Sequence, residues 1–174
     1  MQTATPSAST TAVGGRYGLL TGLVSVIISF GIYALEMEQN SAVRFLTMAV
    51  LVAGIAFAMR TFKEQNGGFM GYGQGVSVGM ITSGIVGLLS GAFIYLYVSM
   101  IDPNVLTRIT EKARVDMEAK GMADAQIDQA MVWTAKFTTA PFMLGFSILF
   151  TLFIGLFISL LVAAFVKNPK PEFE

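Results

Sequence analysis

The chain is 174 residues long, 54% hydrophobic and only 13% charged, about half the charged share that is usual in soluble domains. A soluble domain of this length could not bury so much apolar surface, so the composition indicates one domain that places part of its surface in a bilayer. Its zero net charge, with no Cys and no His, excludes disulfides and thiolate chemistry and makes nucleic acid, metal or histidine-based catalysis unexpected.

Residues 1–13 are rich in Ser, Thr and Ala without apolar periodicity, which predicts a disordered tail before a single membrane domain, 14–174. Four apolar stretches in that domain could cross the roughly 30 Å hydrocarbon layer as helices. The second is the shortest, and the third is long enough to tilt or protrude. A polar, glycine-rich connection, 60–73, separates these two. The four predicted spans are 15–35, 43–59, 74–101 and 141–166.

A polar region, 102–140, separates the third span from the fourth. Asp102 followed by Pro103 is typical of a helix start, and Gly121 is typical of a helix end. A second helix is expected from about Asp124 to Thr138, so the region predicts a helical hairpin outside the bilayer. Its two apolar stripes either pack against each other or lie on the membrane surface or over a cavity between the spans. The stripes are Val105, Ile109, Ala113 and Met117, then Ile127, Met131, Thr134, Ala135 and Thr138, with ion pairs Arg114–Glu118 and Asp116–Lys120 expected beside them.

Small residues recur at four-residue spacing in three of the four spans. Because lipid is as apolar as a leucine side chain, burial gives membrane helices little reason to associate, whereas small residues let two backbones approach closely. The pattern is typical of a compact four-helix bundle or its homodimer. The alternative is that the glycines let helices slide or bend, as in a transporter. The predicted helix-packing residues are Gly18, Gly22, Gly71, Gly75, Gly79, Ser83, Gly87, Gly91, Gly155, Ser159 and Ala163.

Ionisable side chains, which most often carry catalysis or ion transport, are scarce in the spans. No Asp, Glu, Lys or Arg lies in the middle of any of them, where such residues usually mark proton relays and ion paths. Asp124 and Asp128, one helical turn apart, are typical of solvated surface charge, and no nucleophile–base pair is evident. We therefore expect no catalytic residue, no cofactor and no metal site, and a protein that is not an enzyme.

Basic residues near the helix ends predict the orientation. The tail, the 60–73 connection and the C-terminus carry basic residues with few acids. The other side has one more basic residue, but these are offset by acids and spread over the hairpin. Because short segments determine orientation, both termini are expected in the cytoplasm. The basic residues on that side are Arg16, Arg60, Lys63, Lys167 and Lys170.

Several short motifs occur in a characteristic order from about residue 14 onward. They are Tyr17-Gly18 with Gly22, Phe69 with Gly71, Gly75 and Gly79, Asp102-Pro103, the segment from Phe137 to Pro141, and the run from Ser159 to Phe165 before Lys167. In this order and spacing, the chain resembles DUF family 4199, a group of bacterial membrane proteins. The resemblance implies a four-helix layout in the bacterial inner membrane. It implies no activity and carries over no catalytic or binding residue.

These features predict an all-α integral membrane four-helix bundle with an extramembrane hairpin. We expect such a protein to act through helix–helix association, as a structural or accessory subunit. Its expected partners are the lipid bilayer and either a second copy of itself or another membrane protein. The alternative is a small-solute permease or channel formed by a homo-oligomer, since four helices alone rarely enclose a pathway.

Overall fold

The computed structural model describes residues 8–37 and 40–170, and these are all-α without any strand, as predicted. A π-helical turn, Tyr97–Ile101, extends the third helix. Most of the predicted tail lies outside the described residues. The helices are α1 (Thr10–Ala34), α2 (Ser41–Gln65), α3 (Tyr72–Leu96), α4 (Asn104–Ala119), α5 (Asp124–Phe137) and α6 (Ala140–Val166).

Among the described residues, four helical segments are long and apolar enough to cross a membrane, which confirms the predicted number. They are Thr10–Ala34, Phe45–Gln65, Tyr72–Ile101 and Ala140–Val166. No more than 33% of the most apolar window of any of them is buried within the protein. Because the remaining apolar surface needs lipid or another apolar partner to cover it, the four helices indicate a multi-pass membrane protein.

Contacts along the chain divide it into two compact units. The first is Met1–Ser90 with Ile148–Glu174, and the second is Gly91–Ser147. The first unit contains α1, α2 and the longer parts of α3 and α6. The second unit contains the π-helical turn, α4, α5 and the remaining ends of α3 and α6.

The start of α1 differs from the prediction, because the helix begins at Thr10. Ser9 has extended backbone geometry, and its Oγ accepts a hydrogen bond from Ala12 N at 3.3 Å, which caps the helix. Val13 is only 5% exposed and belongs to the core of the first unit. A disordered tail through residue 13 is therefore wrong for residues 10–13, where a cap and apolar burial together favour helix.

The connection between α2 and α3 is also shorter than predicted, because α2 continues to Gln65. Phe62 is fully buried, and Arg60 Nε pairs with Glu64 Oε1 at 3.2 Å, one helical turn along. Burial and an i,i+4 ion pair both favour helix here. The chain then turns at Gly67 and Gly68, whose φ angles of 70° and 86° suit glycine.

The core of the first unit is centred on α2. Ile55, Met59 and Phe62 are fully buried there, while large apolar side chains on the outside are bare, such as Ile27 at 71% and Phe165 at 89% exposed. The core is apolar, as in a soluble protein. The outer surface is apolar as well, which is expected where lipid and not water covers it.

In the second unit, α4 and α5 form the predicted helical hairpin. Asp102 Oδ1 accepts a hydrogen bond from Asn104 N at 3.0 Å, as expected for the residue that caps α4. Asp102 Oδ2 also binds Arg108 Nη1 at 3.0 Å, so both carboxylate oxygens hold the start of the helix. At the other end Gly121, with φ 73°, donates to Glu118 O while Met122 N donates to Met117 O, the paired bonds of a Schellman motif.

The two helices of the hairpin pack on each other. Val105 and Ile127, one from each predicted stripe, are 0% and 1% exposed. The expected Arg114–Glu118 pair forms at 3.1 Å, and the hydrogen bond and charge of Glu118 raise the pKa of Arg114. The expected Asp116–Lys120 pair is wrong: Asp116 pairs with Lys112 on the preceding turn, and Lys120 is the C-cap residue of α4.

Candidate functional site

Small residues of α3 and α6 lie against each other over four successive turns of the first unit; we call this contact the α3–α6 seam. A Cβ added at Gly75 would lie 2.9 Å from Ala163 Cβ, and one added at Gly87 would lie 3.2 Å from Thr151 Cβ. Each step of four along α3 corresponds to a step of four back along α6, so the two helices run antiparallel. The seam consists of Gly75, Gly79, Ser83 and Gly87 on α3 and Thr151, Gly155, Ser159 and Ala163 on α6.

The middle of the seam is a reciprocal pair of glycine–serine contacts. A Cβ added at Gly79 would overlap Ser159 Oγ, and a Cβ added at Gly155 would overlap Ser83 Oγ. Each helix therefore supplies a glycine that receives the serine of the other. This arrangement brings the two backbones together and gains van der Waals contact that larger residues would prevent.

The two serine hydroxyls of the seam differ in their hydrogen bonding. Ser83 Oγ donates to Gly79 O at 2.8 Å, a local bond within α3. Ser159 is fully buried, and its Oγ has no hydrogen-bond partner among the described residues. It lies instead against Gly79, whose Cα–H groups are weak donors to oxygen. Close approach is thus the main property of this contact.

A second glycine track joins α1 to α3, with large side chains as the opposing residues. A Cβ added at Gly14 would lie 2.9 Å from Ile81 Cβ, and one added at Gly18 would lie 2.8 Å from Ile85 Cβ. Leu89 covers Gly22 one turn further along. The residue numbers increase in the same direction along both helices, so α1 and α3 run parallel. α3 therefore contacts α6 through small residues of both helices, and it contacts α1 through its own branched side chains, which cover glycines of α1.

Buried hydroxyl groups add hydrogen bonds between helices. Thr82 is fully buried, and its Oγ1 donates to Val78 O at 2.9 Å and lies 3.3 Å from Gly14 O on α1. Tyr17 OH and Thr61 Oγ1 are 2.7 Å apart and link α1 to α2. Hydrogen bonds of this kind stabilise membrane helix packing modestly, by roughly 0.6 kcal/mol on average.

The structure brings together most of the predicted helix-packing residues, but not all of them. Gly71 precedes α3, and its N–H donates to Gln74 Oε1 at 2.8 Å in place of a helix contact. Gly91 is buried in the second unit. Sequence reasoning missed Gly54 of α2, where an added Cβ would overlap Thr21 of α1. A signal existed, because Ala58 follows Gly54 at the same four-residue spacing.

One end of the first unit is closed by hydrogen bonds between the α2–α3 connection and the segment after α6. Met70 and Asn168 exchange two backbone hydrogen bonds, of 2.8 and 2.9 Å. Asn168 Nδ2 also donates to Gly68 O at 2.9 Å, and Lys63 Nζ donates to Val166 O at 3.1 Å. A lysine on a terminal carbonyl suits the negative end of the helix dipole.

The buried residues of the α3–α6 seam are small or carry hydroxyl groups. Within residues 8–37 and 40–170, no group of three or more Asp and Glu side chains could hold a metal ion. The buried polar groups of the first unit are hydroxyls: Thr21, Ser25, Thr82, Ser83 and Ser159. Hydroxyl groups of this kind can form hydrogen bonds between membrane helices.

Comparison with curated proteins and with solved structures gives no significant match. A protein-family model matches residues 16–168, which include the seam, the hairpin and the α1–α3 track from Gly18 onward. That family is described as "Protein of unknown function (DUF4199)". The match confirms the resemblance drawn from the order of the short motifs, and the chain belongs to the DUF4199 family.

Proposed function

We propose that this protein is a rigid multi-pass membrane subunit that acts through helix association. In this proposal it neither catalyses a reaction nor transports a solute between its own helices. The observation that carries this proposal is the reciprocal contact of Gly79 with Ser159 and of Gly155 with Ser83. Not even one carbon atom can be added at either glycine without overlap. A solute path between α3 and α6 would require the full separation of these helices.

The outer surface of the spans differs from their internal contacts, and this difference favours a different protein as the partner. The small residues of α3 and α6 are used within the protomer, so they are not available to a second copy. The exposed faces of the spans instead carry large apolar side chains that lipid or the helices of another membrane protein would cover. Examples on α1 are Leu19, Leu20, Leu23 and Ile27. We therefore favour an accessory subunit of a membrane complex.

We place the α4–α5 hairpin outside the hydrocarbon layer. The sixteen residues of α4 include six charged ones, and each costs about 2.5–3.5 kcal/mol at the centre of a bilayer. Lys136 Nζ lies 4.7 Å from the centre of the Trp133 ring, near the start of α6. Trp and Lys together are typical of a membrane–water interface. We further propose that the hairpin lies on the far side of a bacterial inner membrane and both termini in the cytoplasm, because the short segments on the side of the termini carry basic residues with few acids.

The subunit composition of the native assembly tests this function. The tagged protein is extracted from its native membranes into lipid nanodiscs, and the mass and composition of the particles are measured. We expect one copy of the chain bound to a different membrane protein in a fixed ratio. The same chain, purified alone and placed in liposomes, should release entrapped small solutes no faster than protein-free liposomes. A homo-oligomer that conducts solutes would overturn the proposal and establish the permease alternative.

A further inference from the structure

A groove of about 510 Å³ lies on the first unit, between the end of α2 and the end of α6. Its apolar wall includes Phe57, which is 58% exposed, and Val166. Its rim carries Arg60, Lys63 and Glu64. The groove therefore combines a strip of exposed apolar surface with two cations and one carboxylate, at the end of a membrane-spanning helix.

The two cations of the rim keep hydrogen-bonding capacity. Lys63 Nζ donates to Val166 O at 3.1 Å, which uses one of the three N–H groups of an ammonium. Glu64 accepts from Arg60 Nε at 3.2 Å, and a guanidinium has four further N–H groups on its two terminal nitrogens. The Arg60 side chain is 74% exposed, so an external anion can reach it.

We propose that this groove binds an anionic phospholipid, with one acyl chain along Phe57 and the phosphate between Arg60 and Lys63. Basic pockets between membrane helices are suited to anionic headgroups, since the phosphate gains charge-assisted hydrogen bonds that a neutral surface cannot give. The apolar wall accounts for the chain of the lipid, which a free phosphate would leave uncovered. This inference depends on the multi-pass assignment and is independent of the proposed association function.

Lipid-dependent thermal stability tests the site. The full chain is purified in a neutral detergent and titrated with phosphatidylglycerol or, separately, with phosphatidylcholine of the same acyl chains. Phosphatidylglycerol should raise the unfolding temperature saturably, because a ligand that binds only the folded state stabilises it. Phosphatidylcholine should not. The double variant Arg60→Gln/Lys63→Gln should bind phosphatidylglycerol about thirtyfold more weakly, at about a fivefold loss for each cation near an anionic lipid.

Two further variants keep the test decisive. Because Lys63 also holds a backbone carbonyl, Arg60→Gln alone serves as the mild variant. It should weaken binding about fivefold and change stability without lipid only slightly, since its exposed ion pair with Glu64 contributes little. Lys112→Gln in α4 is the matched control for lost surface charge and should retain full affinity. Equal effects of the two lipids, or full retention of binding by the double variant, would overturn the proposal. So would equal stabilisation by soluble glycerol phosphate, which would indicate a phosphate site without a lipid.

Discussion

Ser83 of α3 lies against Gly155 of α6 so closely that one added carbon at position 155 would overlap the serine hydroxyl. The neighbouring turn repeats the contact in reverse, with Ser159 against Gly79. Because each helix places one serine against a glycine of the other, a slide by one turn would bring Ser83 opposite Ser159 in one direction and opposite Thr151 in the other. The seam therefore specifies both the distance and the register of the two helices.

Replacing the glycines of the seam should destabilise the protein. Gly79→Ala places a methyl group onto Ser159, and we expect a loss of about 1–3 kcal/mol in the free energy of unfolding, as for other overpacked sites. Gly73→Ala on the same helix is the control, since nothing lies within 4 Å of an added Cβ there. That change should be neutral or stabilising by up to about 1 kcal/mol, because alanine favours helix. Denaturant unfolding in detergent measures both; a loss of equal size in the two variants would contradict the seam.

Sequence periodicity identified the small-residue edges of α3 and α6 but not what lies opposite them. Gly79 and Ser159 stand out because a four-residue repeat of small residues is rarely needed where a helix faces lipid. Ile85, by contrast, fills the space over Gly18 and could not be told from a lipid-facing isoleucine. Inside a bilayer both environments are apolar, so hydrophobicity does not separate a packed side chain from an exposed one. The sequence does not predict the groove at Arg60 for a related reason: basic residues at a helix end are explained equally well by membrane orientation.

The buried hydroxyl of Thr82 should contribute measurably to the contact of α3 with α1. Thr82→Val keeps the shape of the side chain and removes the bonds to Val78 O and Gly14 O, for an expected loss of about 0.6 kcal/mol and at most about 1.7. Thr82→Ser retains the hydroxyl. The rates of amide hydrogen exchange in α3 should therefore be closer to wild type in the Ser variant than in the Val variant. If valine matched or exceeded threonine in stability, the hydrogen bond would carry no weight.

Gly121 should be needed for the turn between α4 and α5. Its φ of 73° is unfavourable for a residue with a Cβ, so Gly121→Ala should destabilise the hairpin by about 1–2 kcal/mol. Gly121→Asn should cost less, since asparagine tolerates this conformation better. Hydrogen exchange at the amides of residues 117–127 reports the effect locally. Equal protection in the alanine variant and the wild type would argue against the Schellman turn.

The orientation can be tested with single cysteines, because the chain has none of its own. Gln65→Cys, at the end of α2, should be protected from a membrane-impermeant maleimide added outside intact cells. Lys120→Cys, at the end of α4, should react with it. Both positions are exposed, so accessibility on the protein itself does not bias the comparison. Labelling of position 65 alone would show that the topology is the opposite of the proposed one. Labelling of both positions would show that both lie on the outer side.

A double-mutant cycle at Ser83 and Gly155 tests the central claim, that reciprocal glycine–serine contacts hold α3 and α6 in register. Gly155→Ala alone should cost about 1–3 kcal/mol. Adding Ser83→Gly removes the overlapping atoms, after which the nearest remaining atom to the new methyl group is Ser83 Cα at 3.8 Å, an ordinary contact. The exchanged pair should therefore recover at least about 1 kcal/mol relative to the sum of the single changes, well beyond the roughly 0.3–0.5 kcal/mol scatter of independent sites. Gly145→Ala with Ser83→Gly is the control cycle, because an added Cβ at Gly145 has no neighbour within 4 Å, and its effects should add. Additive losses in the Ser83–Gly155 cycle would contradict the account.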